Sequence, residues 1–239
     1  MTLNGRAEIR GGGPTGSSRR PHRWRWAIGG VVLLIVVVIG AAVAFVVLPP
    51  TPAPLALPRA ASAPVGRLEG TWEVASGSLA GFRLRETVLG MSNDVVGRTN
   101  EVAGTVVIST DSVSAARFRI NLRSVKVGGG IQAQFAQDLG ARDHRYATLS
   151  LARPVSFSAA FASGGTVLAT TTGRLAMNGE SHIVRFTISA RRDGPRLEIA
   201  GSIPVALAEW GIRAPKGFGF LGSLANRGVA EFLVVLRRH

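Results

Sequence analysis

Arg117-Phe118-Arg119-Ile120-Asn121-Leu122-Arg123 alternates polar and apolar side chains one for one. A period of two marks a β-strand with one face in a core and the other in solvent. The same period recurs on both sides of this segment. Phe82 and Leu84 alternate with Arg83 and Arg85, and Val184, Phe186 and Ile188 with Arg185, Thr187 and Ser189. Leu149, Leu151, Val155 and Phe157 form another register, as do Leu197, Ile199, Ile203, Val205 and Leu207, and finally Phe232, Val234 and Leu236. Adding residues 71–75, 102–109 and 166–175 predicts eight or nine strands in all.

The punctuation between these runs agrees. Asn178-Gly179 is a preferred hairpin dipeptide and Asp193-Gly194 marks a second tight turn, while Gly128-Gly129-Gly130 and Gly164-Gly165 break two further runs. One stretch departs from the period. Ile131, Phe135 and Leu139 lie four apart, which predicts a short amphipathic helix over 131–139. Strands with one apolar face must close into a barrel or stack as a sandwich, and the pattern alone does not choose.

The chain before these strands is built differently. Residues 1–26 hold six arginines against one glutamate, a local charge of +5, with glycine and serine between them, which predicts a disordered basic tail. Residues 27–48 carry no charge. As a helix they reach about 33 Å, enough for a hydrocarbon core of about 30 Å. Trp24 and Trp26 stand at its start, where headgroups favour amphipathic rings, and the arginines before it place the N-terminus in the cytoplasm. The expected topology is a single-pass anchor in the cytoplasmic membrane with everything after Leu48 outside. A cleaved signal peptide is the alternative, although its apolar region usually runs only about 7–15 residues. Residues 49–67 hold six of the 12 prolines and read as an extended, semi-rigid linker. Residues 68–239 then form one domain.

Composition removes most chemistries. The 239 residues include no cysteine, which excludes disulfides, thiolate metal sites and cysteine nucleophiles. Gly217-Phe218-Gly219-Phe220-Leu221-Gly222 has dinucleotide-loop spacing but lacks the surrounding strand and helix that would give it that role. Among the histidines, His144 beside Asp143 and distant His182 form no ligand set, and the acids are scattered, so neither an enzyme nor a metal or other cofactor is expected. The net charge of +14 comes almost wholly from arginine, Lys126 and Lys216 being the only lysines. In an exported domain Arg117, Arg119 and Arg123, on one strand face, read first as the solvated outer face of a barrel strand and second as a contact for anionic lipids or envelope polymers, and nucleic acid is not expected.

From Thr71 onward the order of segments resembles the YceI-like domain, a lipid- or polyisoprenoid-binding family. The matching pieces are Gly70-Thr71-Trp72-Glu73-Val74, then Ser78 and Phe82, and then Val96-Gly97-Arg98-Thr99-Asn100-Glu101-Val102-Ala103-Gly104-Thr105-Val106, the strongest. Asn121-Leu122-Arg123-Ser124-Val125 and Tyr146-Ala147-Thr148-Leu149 follow, with Ala147 where the family has proline. Gly173-Arg174-Leu175-Ala176-Met177-Asn178-Gly179 and Trp210-Gly211-Ile212 complete the series. The version is similar to membrane-anchored actinobacterial members. The resemblance implies an extended, lipocalin-like antiparallel β-barrel of about eight strands that binds an isoprenoid or other lipid and has no catalytic residue set.

The inward registers then become the expected ligand wall: Phe82, Leu84, Phe118, Ile120, Leu122, Leu149, Leu151, Phe157, Val184, Phe186 and Ile188. Periodicity marks the inner face without showing whether it is hollow. A filled barrel acting as an envelope structural or interaction module on anionic lipids or polymers is therefore the alternative. Residues 211–226 are long for a hairpin connection. Phe218 and Phe220 give it an apolar tip, and Arg213 and Lys216 flank that tip, so a lid with a headgroup contact is expected there.

Overall fold

The computed structural model describes residues 34–35, 37–38, 51–88, 90–127, 143–212 and 222–239. The chain divides into two compact units, Met1–Val47 and Leu48–His239. In the first, Leu34, Ile35, Val37 and Val38 are helical and exposed. Among the described residues no helix is long and apolar enough to cross a membrane. The predicted span 27–48 lies outside them apart from those four positions, and the predicted helix 131–139 lies wholly outside.

The second unit is all-β. Its strands are β1 (Gly70–Val74), β2 (Leu79–Val88), β3 (Met91–Thr99), β4 (Val102–Ile108), β5 (Ser112–Asn121) and β6 (Lys126–Val127), followed by β7 (Tyr146–Leu151) and β8 (Val155–Ser156). After helix α1 (Ala159–Ala162) come β9 (Val167–Met177), β10 (Glu180–Asp193), β11 (Arg196–Ala206) and β12 (Gly222–Arg238). Pairing runs β1-β4-β5-β7-β9-β10-β11-β12, and β12 returns to β1 through Trp72↔Arg238 and Val74↔Leu236. All eight pairings are antiparallel, so the ring is a closed barrel. The rest of β12 pairs with β2, which carries β3 and β6 beyond it.

Turn chemistry sets the registers. Asn178 and Gly179 take φ of 50° and 82°, the left-handed pair that a two-residue hairpin demands, and Met177 pairs with Glu180 across them. Gly194 takes φ of 56° in the turn that pairs Asp193 with Arg196. One expected register is broken. Leu149 to Phe157 is not a continuous strand, because β7 ends at Leu151 and β8 pairs instead with Val113 and Ser112 of β5. Pro154 has no N–H to give a ladder, and the chain turns there. Leu122 likewise leaves the strand for a single 3-10 turn, Leu122–Ser124, capped by the Asn121 side chain accepting from the Arg123 N–H.

The prolines of residues 51–66 keep that stretch extended, and it lies against the outside of the barrel as a strap. Asp193 Oδ1 accepts from the Ala61 and Ser62 N–H groups at 2.9 and 2.6 Å, and the Val65 N–H donates to the Gly194 carbonyl at 2.9 Å. Arg83 donates to the Pro52 carbonyl at 2.7 Å and Arg98 to that of Ala53. By strand alternation Arg191, Asp193, Glu198 and Glu231 leave the barrel outward, yet all four are buried. Among them, Arg191 meets Glu198 at 2.7 Å, and Glu231 takes Arg98 at 2.9 Å and Arg83 at 3.6 Å.

Candidate ligand-binding site

Strand pairing carries one inward face around the ring. Phe118 lies beside Leu149, and Leu149 beside Leu175. On the other side Ile203 lies beside Ala230, and Ala230 beside Phe82. Paired residues in an antiparallel sheet point to the same side, so these rows meet inside the barrel.

The interior has two halves. One is filled: Trp72, Val106, Ile108, Phe161, Leu197 and Leu236 pack together, the Trp72 indole donating to the Leu68 carbonyl at 2.8 Å. Arg192 closes this end, giving hydrogen bonds to the carbonyls of Ala162, Val65 and Gly66. The other half is hollow, with a cavity of about 130 Å³. Its wall is apolar. Among the described residues Glu231 is the one ionisable residue on the wall, and its carboxylate is turned outward to Arg83 and Arg98.

Six of the eleven predicted wall residues line this cavity: Phe82, Leu84, Phe118, Ile120, Leu122 and Leu149. The other five lie off it. Phe186 is buried edge-on against Phe232, ring centres 6.2 Å apart, and Val184 and Ile188 pack against the same cluster. Phe157 packs into the filled half against Phe161, 5.4 Å away, because the break at Pro154 carries it to that end. Leu151 is half-buried at the end of β7. The proposed lid residues Arg213, Lys216, Phe218 and Phe220 lie outside the described residues, and β12 begins at Gly222.

The structure adds wall residues not selected from the sequence: Ala147, Leu175, Met177, Ile203, Val205, Leu207 and Ile212. Continuing the inward alternation along β7, β9 and β11 would have found the first five. Leu207 belongs to the 3-10 turn Leu207–Trp210, which has no strand period, and Ile212 follows it. Glu86 is the next inward position after Leu84, and burial raises its carboxyl above the ordinary carboxylate range.

The described residues contain no group of three or more acids and histidines placed to hold a metal. Asp143 and His144 are exposed in the turn before β7. His182 stands edge-on to Trp210, ring centres 4.6 Å apart.

A polyisoprenoid-binding domain from Saccharophagus degradans superposes with a TM-score of 0.56 at 17% identity, over 70% of this chain and 98% of that one. Burkholderia cenocepacia BcnA matches with a TM-score of 0.49 at 13% identity, over 64% of this chain and 95% of that one. No curated protein sequence matches significantly. The family model for the YceI-like domain matches residues 72–230, from the first barrel strand into the last. On that match, and with the closed antiparallel barrel in agreement, the chain belongs to the YceI-like domain family.

Proposed function

We propose that the chain is a membrane-tethered, extracytoplasmic binding protein that holds an isoprenoid or another long apolar lipid in its barrel and performs no chemistry on it. The apolar cavity carries this reading. At about 130 Å³ it is close to the size of an engineered apolar cavity of about 150 Å³ that stays dry and takes benzene. An apolar unit of isoprene size fits without rearrangement. A longer chain enters by displacing flexible wall side chains such as Met177 and Leu207, and gains about 0.8 kcal/mol for each CH₂ taken out of water. The Saccharophagus degradans domain, described as polyisoprenoid-binding, supports the ligand class. The uncharged run 27–48 behind its arginines supports the tether and its direction.

Native mass spectrometry of the full chain purified from membranes tests the reading. A co-purifying apolar lipid is expected from the wild type, and its loss from Ala147→Phe, which places a ring in the cavity. An empty wild type, or equal loading of a folded Ala147→Phe, would remove the cavity from the function. The filled half around Trp72 and Leu236 favours a second reading, a structural or interaction module, and an empty wild type is the result that supports it.

A further inference from the structure

The outer faces of β5, β7, β9 and the first part of β10 set arginines among exposed apolar side chains. Pairing places Arg117 beside Ser150, Ser150 beside Arg174, and Arg174 beside Ile183. Arg119 lies beside Thr148, and Arg185 beside Thr172. Arg117, Arg119, Arg174 and Arg185 thus point outward from one continuous sheet surface, and all but the last strand contribute no acid at all. Of the two acids on β10, Glu180 alternates onto the other face and Asp193 is taken up by the strap. None of the four arginines forms an ion pair among the described residues, whereas Arg83, Arg98, Arg191 and Arg196 all do.

The same face exposes apolar side chains. Ile183 is 55% exposed and Leu168 75%. Tyr146 is exposed as well, with the Arg119 and Arg145 guanidinium groups 4.7 and 5.2 Å from its ring centre. Cations without counter-charges want an anionic partner. Aliphatic and aromatic side chains set among them want an apolar layer just behind it. A phosphate or carboxylate polymer satisfies only the first requirement, and an anionic lipid bilayer satisfies both.

We infer that this face docks on an anionic bilayer, its arginines among the headgroups and Ile183, Leu168 and Tyr146 at the acyl boundary. Tyr146 adjoins Ala147 of the cavity wall, so docking brings the hollow half of the barrel to the lipid surface. The inference stands whether or not the cavity holds a lipid.

Since the chain has no cysteine, a single one introduced into the full chain reports one site alone. Ile183→Cys carries an environment-sensitive fluorophore on this face. Thr71→Cys is the control, exposed on β1, three strands away round the ring from β10, which carries Ile183. Both are reconstituted in vesicles of phosphatidylcholine alone and of phosphatidylcholine with phosphatidylglycerol. The expected result is a blue shift at position 183 only in the anionic vesicles, with none at position 71. Each of Arg117→Gln, Arg174→Gln and Arg185→Gln should lower the docked-to-free ratio about fivefold, from about 1 kcal/mol per basic residue near such a surface. Added salt should reverse the shift in the labelled Ile183→Cys protein that keeps all its arginines, which decides the matter even if a glutamine variant misfolds. Equal emission at position 183 in both lipids, or equal shifts at both positions, would overturn the inference. So would the same shift produced by soluble polyphosphate. Lipid loading read by mass spectrometry is unaffected by any of these outcomes.

Discussion

Phe232 lies across Gly201 from the neighbouring strand, and Phe118 lies across Gly104 in the same way. A Cβ on Gly201 would fall 2.6 Å from Phe232 Cζ and 3.0 Å from Ile188 Cγ2, and one on Gly104 2.8 Å from Phe118 Cδ1. The glycines let rings lie down against the wall instead of standing across the barrel. Gly201→Ala is therefore expected to cost about 1–3 kcal/mol by overpacking, measured by chemical denaturation, with unchanged stability showing that the ring has room. None of this was legible in the sequence. A pattern that counts apolar side chains finds Phe118 and Phe232 but passes over the missing side chain opposite. The period places Phe186 on the inner face, where it lies, but does not show that its ring packs edge-on against Phe232.

The strands themselves were legible wherever one face is buried and the other wet, as in β5 and β10. β3 shows no strand period in the sequence, because Ser92, Asn93 and Asp94 hide any alternation and its Val95, Val96 and Gly97 are buried in a row. The strap was legible only as an extended chain. Prolines set its conformation, but what it lies on depends on Asp193, Arg83 and Arg98, far away in sequence. Asp193 holds it most directly. The Ser62 and Ala61 N–H groups pull its carboxyl below the ordinary range, with Arg196 and Arg191 adding to the effect against the opposing cost of burial. A depressed folded value means that the attachment is fully present above the ordinary aspartate range and is lost as pH falls through the depressed value. Asp193→Ala should open the strap at every pH. Losing charge-assisted bonds worth about 2 kcal/mol in total raises the open population about thirtyfold. Hydrogen exchange at the Ala61 and Ser62 amides reads this, and unchanged protection would assign the strap's attachment to Arg83 and Arg98 instead.

At the scale of the whole molecule, the repeated period and the turn dipeptides foretold an all-β domain, and the family resemblance foretold the barrel. Which half would be hollow was not foretold, because period two is the same for a side chain that fills a space and one that borders it. The division follows from Trp72, Phe161 and Leu236 converging at one end, an arrangement created by ring closure between β1 and β12. The topology proposed for the full chain is tested by fusing after His239 a reporter active only in the cytoplasm. Silence is the expected outcome, and strong activity would reverse the orientation.

The strap also gives the barrel a mechanical character. Tension applied ahead of Pro52 reaches the strap's attachments in order along the chain, first Arg83 and Arg98, then Glu231 at Leu55, then Asp193, then Gly194 and Arg192, so the load is not shared evenly among them. Release of residues 51–66 pays out about 50 Å of contour at about 3.4 Å per residue. Behind it, β1 is clamped between β4 and β12 and resists in shear along both edges. The unit thus behaves as a stiff body on a retractable leash, yielding length at low force before the fold is strained.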